Sequence, residues 1–158
     1  MYRTKADFLT DWSTAAEGTI QVMDSLTDNT LDQAIVEGHS TLGWLGWHLA
    51  MSLAFFGGQA GLNIKPAGDP ENVPNQANTI KDAYKTMAEE LKQEAEQSLT
   101  DEKMTETVDF LGNEVPRGAV LRSLVDHQTH HRGQMTVLLR QAGLPVPGVM
   151  GPTKEQQA

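Results

Sequence analysis

The sequence contains no cysteine. That absence excludes a disulfide framework, a thiolate metal site and a cysteine nucleophile supplied by the protein itself. Positive charge is also scarce. Twelve Lys and Arg stand against 21 Asp and Glu, giving a formal net charge of −9, and no basic run occurs anywhere. Such a chain repels a nucleic-acid backbone, so neither DNA nor RNA is an expected partner. Residues 1–7 carry charge and lead straight into a helical pattern, without the apolar segment of a signal peptide, which predicts a cytoplasmic protein.

Charge of either sign is missing from one long stretch, residues 41–62. At that length a membrane span has to be weighed. Five glycines, His48, Ser52 and Gln59 interrupt it, and no Lys or Arg flanks it until Lys65, so no membrane span is predicted. As a helix the stretch has two sides. Trp44, Leu45, His48, Leu49, Ser52, Phe55 and Phe56 form a bulky one, and Gly43, Gly46, Ala50, Ala54, Gly57 and Gly61 form a small-residue one. The bulky side is expected to fill the core and the small-residue side to let a second helix approach closely. Coverage on both sides predicts burial in a bundle plus a subunit contact, hence a homodimer. The last helix is the other candidate surface for that contact.

Hydrophobic residues make up 39% of 158, enough for one sizeable core. Three further helices follow from apolar residues recurring every three or four positions. The first, at 4–26, carries Phe8, Trp12, Ala15, Ala16, Thr19, Met23 and Leu26. The third, at 76–99, carries Ile80, Tyr84, Met87, Leu91 and Ala95, and the last runs over 117–142. Residues 63–75 read as a loop and residues 100–116 as a connector with a short extended or turn segment. Gly143 and Pro145 stop the last helix. Residues 1–152 are predicted to be one domain whose end packs along the bundle, with 153–158 a disordered tail.

Three of the five histidines lie within residues 126–134. On a helix His127 and His131 sit one turn apart, about 40° from each other, and within about 50° of the apolar arc of Val120, Leu124, Met135, Leu138 and Ala142. His130 lies about 110° from that arc. Two imidazoles on a buried face each need a hydrogen-bond partner, such as a carbonyl or carboxylate, or else a metal. Spaced i, i+4, they can also act together as a bidentate metal clamp. His48, the one ionisable group of 41–62, is a candidate third ligand. No Glu follows His127, so the metalloprotease His-Glu-x-x-His motif is absent.

The segments Leu42-Gly43-Trp44-Leu45-Gly46-Trp47-His48-Leu49-Ala50 and Asp126-His127-Gln128-Thr129-His130-His131-Arg132-Gly133-Gln134, with the exit Leu144-Pro145-Val146-Pro147, resemble the DinB-like (YfiT-type) superfamily. The resemblance implies an all-α fold, a four-helix bundle of up-down-down-up topology with long connecting loops. The thirteen residues of 63–75 can span about 43 Å extended, enough to run back along a helix of about 33 Å. It also implies a divalent metal, zinc or nickel, on His48, His127 and His131. Some relatives use such a metal to activate a low-molecular-weight thiol, such as bacillithiol or mycothiol, for transfer to a small electrophile.

Three imidazoles leave such an ion with an open position. A thiol there loses its proton readily, and a water there becomes a hydrolytic nucleophile. The functions to be separated are therefore a metal-dependent thiol S-transferase acting on a small-molecule substrate, a metal-dependent hydrolase, and a non-catalytic metal-binding bundle with a structural or sensing role. Arg132 is read either as an anchor for an anionic thiol or as a salt-bridging residue. Gly133 is read as a point of close helix packing, His130 as a group beside the site or on the surface, and His39 as a loop residue.

Overall fold

The computed structural model describes residues 1–157. Four long helices, α1 (Lys5–Asp24), α2 (Leu42–Gln59), α3 (Ala77–Ser98) and α5 (Arg117–Gln141), are joined by a short helix α4 (Asp101–Thr105) and a hairpin of β1 (Thr107–Phe110) and β2 (Asn113–Pro116). Thr4, Thr41 and Thr100 cap α1, α2 and α4, each hydroxyl accepting a backbone N–H from the first turn, which satisfies donors the helix cannot pair itself. The α2 helix stops three residues short of the expected Leu62 because Gly61 adopts a positive φ of 75° and Leu62 N–H turns back to the Gly57 carbonyl, a left-handed C-terminal closure.

Contacts along the helices fix their directions. Tyr2 N–H donates to Gly118 O, and Arg132 reaches Ala15 O near the middle of α1, so α1 and α5 run parallel. Lys5 Nζ reaches Glu96 O, Trp12 Nε1 donates to Ala88 O, and Lys85 pairs with Asp24; α1 and α3 are antiparallel. Gly46 faces Ile80, and Gly57 lies near Leu91, which makes α2 and α3 parallel. The α2 and α5 helices run opposite ways, with Leu49 and Ser52 against Gln128 and Ala60 against Arg117. This is the up-down-down-up order. The return from α2 to α3 lies along the bundle, where Trp47 Nε1 donates to Asp69 O at 2.9 Å.

One core cluster joins all four long helices. Phe8, Trp12, Leu45, Leu49, Leu53, Ile80, Tyr84, Leu91, Leu121 and Leu124 are among its fully buried members. The small-residue side of α2 is covered within the chain: Gly43 meets Leu31, Gly46 meets Ile80, Leu26 and Met23, and Gly57 meets Ile64. Glycine there lets neighbours close in, so that side is not free for a subunit contact. The side of α2 that reaches solvent instead carries Trp44 and Phe55, both expected in the core. The homodimer thus loses its first motive and stands as a proposal, which light scattering across micromolar concentrations decides. Gly133 is exposed with open space around its Cα, so it serves no close packing. Among the described residues no helix is long and apolar enough to cross a membrane.

Beyond Gly143 the chain does pack along the bundle, with Val146 buried and Val149 against the core. The tail expected to be disordered forms a 3-10 turn at Glu155–Gln157, where Glu155 pairs with Arg140 at 2.7 Å. Ala158 lies outside the described residues.

Candidate metal centre

His48 comes from α2, and His127 and His131 from successive turns of α5. Antiparallel packing of the two helices brings the three rings together. The centroids of His127 and His131 are 4.4 Å apart, those of His48 and His131 4.8 Å, and those of His48 and His127 5.0 Å. One ring nitrogen from each lies within 4.8 Å of the other two. Donor atoms around a tetrahedral ion bound at 2.0–2.1 Å stand ~3.4 Å apart, so small rotations of the rings suffice to close on one.

The rings are held by their neighbours. His48 stacks on Trp44 with centroids 4.6 Å apart and planes 9° from parallel. His131 Nδ1 lies 2.7 Å from Gln134 Oε1. An amide oxygen only accepts, so Nδ1 carries the hydrogen and Nε2 keeps its lone pair for a ligand. His48 Nε2 and His127 Nε2 approach to 3.1 Å, a contact that is favourable only if one of them holds a proton. His127 Nδ1 is buried without a hydrogen-bond partner, next to the ring of Phe56 at 5.1 Å.

All three imidazoles are pushed toward the neutral form. Burial lowers His127 to about 4, with the fields of His131, His48 and His130 adding to it. Burial also lowers His48, aided by His131. It lowers His131 too, against the pull of the Gln134 hydrogen bond. Neutral imidazoles are the ligating form. Three imidazoles held neutral and brought together, with no carboxylate among them, fit a divalent cation.

The other expected residues divide. His130 is exposed, its ring 4.8 Å from that of His131. His39 is an exposed loop residue. Asp126 is engaged by Arg122 on its own helix. Arg132 forms no salt bridge among the described residues; it is buried, and its Nη1 donates to Ala15 O and Thr19 Oγ1.

The layer beneath the histidines is polar and leaves no mark on the apolar pattern of the sequence. Tyr84 OH donates to Gln128 Oε1 at 2.9 Å, and Gln128 Nε2 donates to Ser52 Oγ at 3.2 Å and to Leu49 O. This network ties α2, α3 and α5 together directly under the site. Its signal was the pair Gln128 and Arg132, each one residue after a histidine and also spaced i, i+4. Around the mouth, Phe55, Phe56 and Phe110 form a cluster with centroids 5.3 to 6.5 Å apart, which brings the hairpin into the site's surroundings.

The family model for the DinB family matches residues 1–158. The chain belongs to the DinB family. It is 38% identical over its whole length, and over 95% of the relative's, to the uncharacterised protein YrdA of Bacillus subtilis strain 168. A crystal structure of a DinB-like protein from Bacillus cereus superposes with a TM-score of 0.90 at 40% identity, covering 94% of this chain and 99% of that one. A DinB-like protein, YjoA, of Bacillus subtilis shares the fold at a TM-score of 0.73 and 17% identity, over 92% of this chain and 99% of that one. The family and its helical fold are thereby established, and this DinB protein has three histidines grouped so that they could hold a metal.

Proposed function

We propose that this DinB protein is a metal-dependent enzyme that joins a low-molecular-weight thiol to a small electrophile. The observation that carries this reading is the composition of the site: three neutral imidazoles, no carboxylate and no cysteine, beside partly exposed aromatic side chains. His48, His127 and His131 would hold a zinc or nickel ion, and three protein ligands leave a position for an exogenous one. Bound there, the ion supplies Lewis acidity that lowers the pKa of a thiol brought to it. Gln134 fixes the tautomer of His131, and Trp44 fixes the plane of His48. Phe55, Phe56 and Phe110 give an apolar wall that displaces water from an incoming substrate.

Among the described residues no carboxylate is grouped with the histidines to act as a general base, and Asp126 is taken by Arg122. That favours a nucleophile needing no base, a thiol, over water. In the transfer the thiol sulfur forms a bond to the electrophilic carbon, the leaving group departs with its electron pair, and the thiol proton passes to solvent. A second reading, a metal serving only to tie α2 to α5, is favoured by the ligands' placement on two helices.

One assay separates the two. Zinc- or nickel-loaded protein is incubated with bacillithiol and a generic aryl halide, and thioether formation is followed. Turnover that requires the metal and is lost in His131→Ala is expected. A metal that raises the melting temperature but supports no turnover with any thiol would leave the structural reading in its place.

A further inference from the structure

A cleft of about 520 Å³ lies on another side of α5 from the histidines, between that helix and the C-terminal segment. Arg132, Thr129, Thr136, Arg140, Val146, Val149, Met150 and Lys154 contribute to its lining, and no Asp or Glu does. The side chain that makes it unusual is Arg132. It is 5% exposed, one helical position after His131 and therefore about 100° further round the helix. It has no carboxylate partner among the described residues. Its hydrogen bonds to the protein, to Ala15 O and Thr19 Oγ1, leave from Nη1 alone. Nε and Nη2 make no hydrogen bond among the described residues.

A buried guanidinium without a counter-ion is costly, and proteins pair such charges or bind anions with them. Tyr84 gives no compensation, because its burial holds the phenol protonated. Arg140 is neutralised by Glu155 through two contacts, at 2.7 and 3.4 Å. Lys154, exposed at the rim, makes no ion pair among the described residues. The cleft thus offers a fixed fork of donors at its base, a flexible cation at its edge, and an apolar wall of Val146, Val149 and Met150.

We propose that this cleft binds a small organic acid, with the carboxylate paired to Arg132 and Lys154 and the apolar body against Val146, Val149 and Met150. A planar carboxylate matches the guanidinium fork in a way a point anion does not. The cleft's volume exceeds what an inorganic ion fills, and its wall favours a carbon chain. The site is separate from the three histidines and does not depend on what reaction they serve.

The test uses the full-length, metal-loaded protein and three probes: hexanoate, its neutral counterpart hexanamide, and inorganic phosphate, at constant ionic strength. Amide NMR shifts report where each binds. Hexanoate is expected to shift Thr136, Gly151 and Lys154 saturably, with hexanamide at least about tenfold weaker. Lys154→Ala, a change at an exposed residue that leaves the core untouched, should weaken hexanoate about threefold or more. Arg132→Gln should abolish it. The same shifts should persist in His127→Ala, which removes binding at the histidines as their cause. Equal binding of hexanoate and hexanamide, shifts confined to residues around Trp44 and Gln134, or phosphate binding as tightly as hexanoate would each overturn the proposal. If Arg132→Gln does not fold, the hexanamide comparison and Lys154→Ala still decide it.

Discussion

At the scale of single residues, the site depends on which imidazole nitrogens are free. His48, His127 and His131 form one group, while His130 and His39 are exposed and lie outside it. Alanine at any of the first three should remove most metal binding, whereas His130→Ala and His39→Ala should bind like the parent. Gln134→Ala should fall between. It keeps all three rings but releases the tautomer of His131, a change that costs roughly 10- to 100-fold in affinity. Zinc titration with a competing chelator reads all six variants, and a Gln134→Ala protein with parental affinity would show that His131 needs no such support. The histidine pair was legible because i, i+4 spacing and an apolar arc can be laid out from sequence alone. Gln128 and Arg132 were not, although they are more deeply buried than the histidines. The arc was drawn from apolar residues only, and the centre of the buried face lies roughly 50°, about half a residue, further round. Polar residues that find their partners on other helices leave no mark on a hydrophobic pattern.

Among the elements, the start of α5 is the joint on which the site's position depends. Gly118 accepts the Tyr2 N–H at its carbonyl, and a methyl group on it would run into the Tyr2 backbone, with Met104 O also 3.2 Å away. Gly118→Ala should therefore destabilise by about 2 kcal/mol or more. Gly133→Ala, in open space on the same helix, should stabilise by roughly 0.5–1 kcal/mol. Urea unfolding of both proteins provides the measurement, and similar midpoints would contradict the packing described at Tyr2. The long helices were readable to within three residues at each end, since their stripes are strong and Gly61 and Gly143 close two of them. The β1–β2 hairpin was foreseen only as a short extended segment. The five-residue α4 was not foreseen, because one turn with a single buried residue, Met104, carries no periodicity.

For the whole molecule, the histidines couple folding to pH. In the metal-free protein His127 titrates at about 4, and His48 and His131 are lowered in the same direction. As pH falls below about 6.5 the unfolded chain takes up these protons first. Stability contributed by the neutral rings is thus complete above that value and lost progressively toward pH 4. Melting curves at pH 7.5 and 5, a range in which carboxylates scarcely titrate, should show a clear drop. The drop should shrink in a His48→Ala, His127→Ala, His131→Ala triple variant, and an equal drop in both would assign it elsewhere. The partly exposed rings are screened by solvent, so the effect is modest beside the total stability. The up-down-down-up order followed from the family resemblance, and the length of 63–75 only allowed it. Which side of α2 faces the core was legible only in part, with Leu45, Leu49, Ser52 and Phe56 buried as expected and Trp44 and Phe55 exposed, since a helix without charges has no polar face to orient it.

The parallel course of α2 and α3, with the chain looping back between them, sets His48 and His127 79 residues apart in sequence. Time of synthesis therefore divides the centre. A growing chain that has delivered α1, α2 and α3 owns a single imidazole of the three and has nothing to grip an ion with. The remaining two arrive together, on the last helix. On the proposed reading, capture of metal in the cell would wait until translation is almost finished, and a product truncated before α5 would lack the site.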